Sequence, residues 1–511
     1  MKFIRKFLFH RATLVSLAII IQLLVLVAVI WKFYDYFGFF YGASVLLSLA
    51  AVVWIINQGT NPVFKLAWII PILLFPVLGG LFYLFFGGNK LSNRTRKRMR
   101  YMEDKSREAM TARHEVLDDI RIVSQQAAIQ SRYIEKYSFY PPYSNTYTEY
   151  LSTGEKKFEK LKEALEKAEK FIFLEYFIIE EGKMWNSILD ILEEKVKQGV
   201  DVRLIYDDFG CLLKLPYKYY QKLEAMGIQC AVFNPLVPVL YARMNNRDHR
   251  KIAVIDGHTG FTGGINLADE YINEIEIHGY WKDTAIMVKG EAVWNLTVMF
   301  LSMWDYIKGI DEDFSRYRDH IPLQEATEGY GYVQPFADGP LDEEPVSETV
   351  YLNLINKAVD YVYITTPYLI IDNEMVTALT SAAKGGVDIR IITPHLADKV
   401  LVHEVTKSYY RILIESGVKI YEYTPGFIHS KTFASDDEYG VVGTINMDYR
   451  SLFLHFECGV WMYKSSSVID IKEDFLDTLK VCRQITIQEV RNIKWYRAVA
   501  GSVLRVFAPM M

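Results

Sequence analysis

Two short stretches carry the same reactive set. His249-x-Lys251-x4-Asp256 is followed by Gly263-Gly264-x-Asn266, and His429-x-Lys431-x4-Asp436 by Gly443-Thr444-x-Asn446. A His and a Lys two apart on a β-like run point to the same face of a sheet. A turn at the Asp then reverses the chain, so the small residues and the Asn end beside the His and Lys. Such a set suits a phosphate. Imidazole supplies a nucleophile or an acid, Lys a fixed cation, Asn and backbone N–H groups donors, and Gly a close backbone approach. One copy alone would be a weak signal, because a lone His or Lys on a strand is usually structural or solvated; two copies at matched spacing are a strong one. The catalytic set is therefore His249, Lys251, Asp256, His429, Lys431 and Asp436, with Asp256 and Asp436 expected to hold turns rather than touch substrate. Gly264, Asn266, Thr444 and Asn446 form the expected phosphate-binding set.

The elements that must position these residues are duplicated too. Gly199-Val-Asp-Val-Arg-Leu-Ile205 recurs as Gly386-Val-Asp-Ile-Arg-Ile-Ile392, and Gly227 to Pro235 recurs in outline as Gly417 to Pro425. Three anchors in one order mark a duplicated domain. Their offsets, 187, 190 and 180 residues, differ because the first copy carries extra residues around Leu236 to Asn246. That insertion reads either as a lid or membrane-contacting loop, or as a plain surface loop. Glu155 to Lys170 has the pattern of an amphipathic helix, Phe171 to Ile179 of a strand, Met184 to Gln198 of a helix and Val200 to Tyr206 of a strand. Such alternation predicts an α/β fold. The Tyr-rich stretch Tyr137 to Tyr150 reads as a loop.

Ahead of this lie three apolar runs, Ala12 to Trp31, Gly38 to Ile56 and Leu66 to Phe86. Each is long enough to span a hydrocarbon core of about 30 Å as a helix. Pro71, Pro76, Gly79 and Gly80 interrupt the third, which leaves open two spans plus an interfacial or re-entrant segment. Lys90, Arg94, Arg96, Lys97, Arg98 and Arg100 follow before the first acid, Glu103. By the positive-inside rule everything downstream is expected in the cytoplasm of a multi-pass protein of the cell membrane. A net charge of −5 disfavours nucleic acid as a partner. Four cysteines without a C-x-x-C pair suggest neither disulfides nor a zinc site, and no H-E-x-x-H or P-loop occurs, so no metal or cofactor is expected. The lipid membrane is the expected partner; oligomeric state is not legible.

The chain resembles the phospholipase D superfamily, and within it the bacterial cardiolipin synthases. The resemblance rests on the two His-Lys-Asp motifs, on Asn61-Pro62 through Gly88 with Lys65-Leu-Ala-Trp68 and Pro76-Val-Leu-Gly79, and on Glu175-Tyr-Phe-Ile178, Asp269-Glu-Tyr271, Trp281-Lys-Asp283 and Thr366-Pro-Tyr368. The extra N-terminal apolar run departs from the family pattern. The implied fold is two tandem phospholipase D-like domains, mixed β-sheets flanked by helices and related by a pseudo-twofold axis, after an N-terminal transmembrane helical region. The corresponding divisions are 1–92 for a membrane-anchoring region with two or three transmembrane helices, 93–150 for a basic, helical linker, and 151–325 and 326–511 for the two domains.

The resemblance implies a ping-pong transfer of a phosphatidyl group from one phosphatidylglycerol to another, giving cardiolipin and glycerol through a phosphohistidine. In-line displacement puts attack and departure on opposite sides of phosphorus, which by itself asks for two imidazoles. The resemblance casts His249 as nucleophile and His429 as acid and base, while the residues alone leave the roles interchangeable. Lys251, Lys431, Asn266 and Asn446 would hold the non-bridging oxygens. An imidazole so used needs a carboxylate to set its tautomer. Asp283 and Glu457, each beside apolar strand residues after its motif, are expected to do this. His258 and His455 lack a Lys partner and read as structural. A hydrolase, or a transferase to another alcohol, is the alternative within this chemistry; a nuclease and a non-catalytic membrane scaffold are alternatives outside it. The C-terminal Trp495 to Met511 interleaves apolar residues with Arg497 and Arg505, which suits either a bilayer interface or packing on the second domain.

Overall fold

The computed structural model describes residues 11–32, 37–59, 61–76, 79, 80, 83, 93–110, 114–236, 246–318, 331–340 and 344–510. The candidate lid falls mostly at 237–245, outside the described residues, as does part of the third apolar run.

Two sheets carry the duplication. In the first half β1 (Thr146–Leu151), β2 (Phe171–Tyr176), β3 (Asp201–Asp207), β4 (Gln229–Phe233), β5 (Lys251–Ile255), β6 (Thr259–Gly263) and β8 (Ala285–Gly290) lie in the order β1-β8-β6-β5-β2-β3-β4, with β7 (Tyr280–Lys282) outside the sheet. In the second half β9 (Tyr332–Asp338), β10 (Tyr361–Thr365), β12 (Asp388–Pro394), β13 (Lys419–Tyr423), β15 (Thr432–Ser435), β16 (Tyr439–Gly443), β18 (Glu457–Tyr463) and β19 (Cys482–Gln484) lie in the order β19-β13-β12-β10-β15-β16-β18-β9. Read from β1 and from β9 the two orders are the same, and β19 is an added edge. In both sheets the strands on one side are parallel, because helices cross over between them, and the motif hairpin with its neighbours is antiparallel. The short strands β11 (Leu369–Ile370) and β17 (Met447–Asp448) pair with each other.

All six residues of β2, Phe-Ile-Phe-Leu-Glu-Tyr, are buried, as expected of a strand covered on both faces. Three apolar cores account for the layers. One lies between the two sheets, joining Phe173, Val254 and Val288 of the first to Val442, Val460 and Met462 of the second, together with the helix Val293–Lys308. The others lie beneath the helices on the outer face of each sheet. The result is a helix-sheet-sheet-helix stack in which two α/β halves share an interior. One expectation needs correcting: the end of the stretch Tyr137 to Tyr150, read as loop, belongs from Thr146 to the edge strand β1, which pairs with β8 from Thr146↔Gly290 to Leu151↔Ala285. Its alternation of Thr and Tyr is a strand pattern that the preceding prolines obscure.

At the N-terminal end, Arg11–Lys32, Phe37–Ile56 and Pro62–Leu74 are helical. Several of their side chains lie outside the described residues. Among the described residues no helix is long and apolar enough to cross a membrane. The helix Pro62–Leu74 is tied to the second half: Phe64 meets Tyr449 and Phe453 edge to face, with centroids 5.6 and 5.7 Å away, and Asn61 Nδ2 donates to Asp372 at 3.1 Å.

Candidate active site

The motif hairpins come together where the two halves abut. β7 of the first half pairs in parallel with β14 (Gly426–Ile428) of the second, matching Lys282 with Ile428. On the other side Asp248 bridges to Phe456. These two seams hold the histidines in equivalent ways: the His249 backbone N–H donates to Phe456 O at 2.9 Å, and that of His429 to Lys282 O at 2.7 Å. Each His is therefore fixed to the other half, beside the residue that precedes a buried carboxylate.

That carboxylate crosses over. His249 Nδ1 lies 2.9 and 3.0 Å from the two oxygens of Glu457, and His429 Nδ1 lies 2.6 Å from Asp283 Oδ2. Both carboxylates are 0% exposed. A carboxylate facing Nδ1 keeps the hydrogen there and leaves the Nε2 lone pair for the reaction. Neither imidazole is served by the carboxylate of its own copy. The two histidines and the two motif lysines also act on one another electrostatically: Lys431 and His429 bear on His249, and Lys251 bears on His429. The site is one, built from both halves.

Burial dominates its electrostatics. It pushes His249 well below the usual imidazole range and His429 down to about 4, with Lys251 and Lys431, respectively, reinforcing the effect. Burial also lowers Lys251 to about 8 and Lys431 to about 7, and raises Glu457 to about 8. Each lysine ammonium donates to the carbonyl of the His two residues before it, at 2.5 Å for Lys251. A phosphodiester placed here would supply the negative charge that favours protonation of these lysines and imidazoles.

The other expected residues sort differently. Asn266 accepts the Ile178 N–H at 3.0 Å and donates to Tyr271 Oη at 2.7 Å; Asn446 donates to Ser451 at 3.1 Å, and its Oδ1 is buried without a hydrogen-bond partner. Gly264 and Thr444, expected among the phosphate-binding residues, lie on the carboxylates. A Cβ at Gly264 would fall 2.1 Å from Asp283 Oδ1, and the Thr444 hydroxyl donates to Glu457 Oε2. Asp256 and Asp436, expected to hold turns, bond to the backbone. Asp256 accepts the backbone N–H groups of Glu169, Lys170 and Phe171, and Asp436 those of Val359, Asp360 and Tyr361. At φ of 52° and 54° they clamp the chain entering β2 and β10, at the far end of the hairpin from the imidazoles.

Sequence reading missed the walls. Tyr271, Trp281 and Phe427 surround His429 with centroids 5.8, 5.6 and 6.0 Å away. Phe177 lies 5.0 Å from His249, and His455, read as structural, lies 5.6 Å from it. His249, His455 and Glu457 place ligand atoms within 4.8 Å of one another, a set that a metal ion could use. The fit is poor. Lys251, Arg450, Arg247 and Lys399 all bear on His455, and Glu457 is already engaged by His249 and Thr444. A cavity lined by Met99, Tyr140, Met299 and Arg250 lies against the linker helix Asn93–Ala109 and includes neither motif imidazole.

Comparison with known proteins agrees with this geometry. The family model described as "Cardiolipin synthase, PLD-like domain" matches residues 161–304 and 351–479, one segment in each half, and a "Phospholipase D-nuclease N-terminal" model matches 46–88. A cardiolipin synthase of Halalkalibacterium halodurans is 34% identical over 480 residues, covering 93% of this chain and 95% of that protein. One of Geobacillus thermodenitrificans is 35% identical over 476 residues, covering 92% and 93%. An uncharacterized protein of Streptococcus mutans is 44% identical over 472 residues, covering 91% and 100%. Among solved structures, a phosphatidylserine synthase of Haemophilus influenzae superposes with a TM-score of 0.54 at 15% identity, covering 74% of this chain and 99% of that one, a likeness of fold alone. With a paired active site assembled across two matched halves, and with relatives of this similarity over nearly its whole length, the chain belongs to the bacterial cardiolipin synthases of the phospholipase D superfamily.

Proposed function

We infer that the protein is a phosphatidyltransferase that makes cardiolipin and glycerol from two phosphatidylglycerol molecules. The observation that carries this reading is the pair of imidazoles, each set by a buried carboxylate from the opposite half, in one lysine-lined site. His249 Nε2 attacks phosphorus, and the bond to the headgroup glycerol oxygen breaks as His429, protonated once the lipid anion is bound, gives that oxygen its proton. Neutral His429 then takes the proton of the incoming phosphatidylglycerol hydroxyl. The new P–O bond forms as the P–N bond to His249 breaks, which returns the histidine. Lys251 and Lys431 offset charge on the non-bridging oxygens, with Asn266 and Asn446 beside them as amide donors. The four segments 1–92, 93–150, 151–325 and 326–511 remain our proposed divisions.

The N-terminal apolar runs anchor the enzyme in the membrane, with the catalytic halves on the cytoplasmic side. In support, Leu46 and Leu47 are 70% and 72% exposed on the helix Phe37–Ile56, a costly arrangement in water. On the helix Trp495–Val506, Trp495, Val499 and Val503 are exposed, and Arg497 and Arg505 accompany them. This helix packs beside Pro62–Leu74, whose Leu66, Leu73 and Leu74 are exposed as well. Together they form an apolar rim at the second half.

The test is incubation of the detergent-purified full chain with phosphatidylglycerol alone. Cardiolipin and glycerol should appear in equal amounts, and acid-quench mass spectrometry should find a phosphatidylated His249. Release of phosphatidic acid without cardiolipin, or a requirement for a cytidine nucleotide donor, would overturn the reading.

A further inference from the structure

Cardiolipin synthesis as read above brings two phosphates together. One reacts; the other belongs to the acceptor lipid and sits one glycerol away. The motif residues account for the first. On the His249 side lies a second set of donors that this chemistry leaves unused.

His455 is nine-tenths buried, yet neither ring nitrogen has a hydrogen-bond partner. Its ring lies 5.6 Å from that of His249. The backbone brackets it between two arginines: His455 N–H donates to Arg450 O at 2.9 Å, and the next residue, Phe456, donates to Arg247 O at 2.8 Å. Arg450 Nε is likewise buried without a partner. Burial first, then Arg450, Lys251, Arg247 and Lys399, disfavour the protonated form of His455. The nearby acids are Asp207, 3.9 Å from Arg247 Nη1, Asp448 beside Arg450 and Lys399, and Glu457, 3.9 Å from His455 Nδ1. Glu457 is committed to His249. Unpaired buried donors under a cationic field are costly unless an anion completes them. A neutral imidazole among arginines offers such an anion an N–H without adding a further buried charge.

We propose that Arg450, His455 and Arg247 form a second phosphate subsite, which holds the phosphodiester of the acceptor phosphatidylglycerol while its glycerol hydroxyl attacks the phosphatidyl-enzyme. The subsite rests on the transferase reading above. It makes the site selective for an acceptor that is itself a phospholipid, over water or a neutral alcohol.

The experiment compares two acceptors on the same purified full-length enzyme. Cardiolipin formation from phosphatidylglycerol uses the anionic acceptor; incorporation of labelled glycerol into phosphatidylglycerol uses a neutral one. Arg450→Gln and His455→Phe should each lower the ratio of cardiolipin formed to glycerol exchanged by at least about tenfold, chiefly through the KM for phosphatidylglycerol as acceptor, and Arg450→Lys should recover part of it. Because the ratio is internal to each preparation, a partly unfolded variant leaves it unmoved. An unchanged ratio, or equal loss of both reactions, overturns the subsite. Adding inorganic phosphate distinguishes a lipid site from a free-anion site: inhibition of glycerol exchange and cardiolipin formation alike at millimolar phosphate would overturn the assignment to the acceptor. Failure of the underlying reading is a separate result, in which the wild-type enzyme exchanges glycerol but makes no cardiolipin.

Discussion

Around His429 the wall is Tyr271, Trp281 and Phe427; around His249 it is Phe177 and His455, the latter under the charge of Arg450 and Arg247. The two half-sites share a backbone plan, so their side chains can be compared position by position. Four residues past Asn266 stands Glu270, and four past Asn446 stands Arg450. Five past, the hydroxyl oxygens of Tyr271 and Ser451 accept from the side-chain amide of their respective Asn. Two before Asp283 stands Trp281, and two before Glu457 stands His455; each ring centroid is 5.6 Å from its imidazole. Both copies keep the His, the Lys and a crossed carboxylate. They differ in what lies beside the imidazoles. A symmetric phosphodiester hydrolase would have no use for this difference, whereas a transferase that handles a donor and a different acceptor does.

The largest effect tests the shared plan. His249→Ala and His429→Ala should each lower cardiolipin formation by at least about 10^4-fold, since neither imidazole can replace the other in an in-line route. Equal residual activity well above this would mean that the halves act independently, and the comparison would fail. Next come the crossed carboxylates. Asp283→Asn and Glu457→Gln should each cost roughly 10^2- to 10^4-fold in kcat by favouring the wrong tautomer. A trapped phosphohistidine separates them: loss of Glu457 should abolish its formation at His249, and loss of Asp283 should impair headgroup departure. Gly264→Ala should resemble Asp283→Asn, because the added carbon displaces the carboxylate that it would meet at 2.1 Å.

A smaller effect concerns both halves together. Lys251 and Lys431, lowered to about 8 and about 7, lose their charge as pH rises through that window. The value of kcat/KM, which reports the free enzyme, should therefore decline on the alkaline side from about pH 7. The fall in kcat should begin at higher pH, because a bound lipid phosphate restores the protons. Coincident alkaline limbs in the two profiles would mean that the lysines do not face the phosphate. The sign for stability is opposite: these lysines bind fewer protons folded than unfolded, so their burial destabilises least at high pH, and Lys431→Met should raise Tm while removing activity.

How much of this was legible depended on sequence distance. His249, Lys251 and Asn266, like their counterparts, lie within one hairpin, where strand period and turn chemistry already dictate that they meet. The carboxylates Asp283 and Glu457 could be nominated from their matching places after each motif and the cost of leaving them unpaired in apolar strands. Which imidazole each serves could not, because crossing depends on the seams of β7 with β14 and of Asp248 with Phe456, formed by residues some 150 to 210 apart in the chain. The contacts of Gly264 and Thr444 with the carboxylates were illegible for a related reason: a small residue near a phosphate looks the same in sequence as one near a carboxylate. His455 was read as structural for want of a lysine two residues on; its place 5.6 Å from His249 depends on the seam between the halves, which no local spacing encodes.

The smallest effect bears on why the halves use different carboxylates. Asp283 is short, and Gly264 opposite it makes room. Glu457 is one methylene longer and rests on the Thr444 hydroxyl, which also accepts the Cys458 N–H at 3.0 Å. That hydroxyl lowers a carboxyl that burial still holds up at about 8. Thr444→Ala leaves both Glu457 oxygens within reach of His249 but removes the donor, so the carboxyl rises further and a smaller fraction is ionised near neutral pH. The expected cost is about 1 to 2 kcal/mol, or roughly tenfold in kcat at pH 7, with the acid limb of the profile moved to higher pH. At pH 9 most of the deficit should be recovered relative to wild type. A pH-independent loss would instead mean that Thr444 acts only on the backbone of β18, and that the Glu457 side owes its longer carboxylate to packing rather than to proton control.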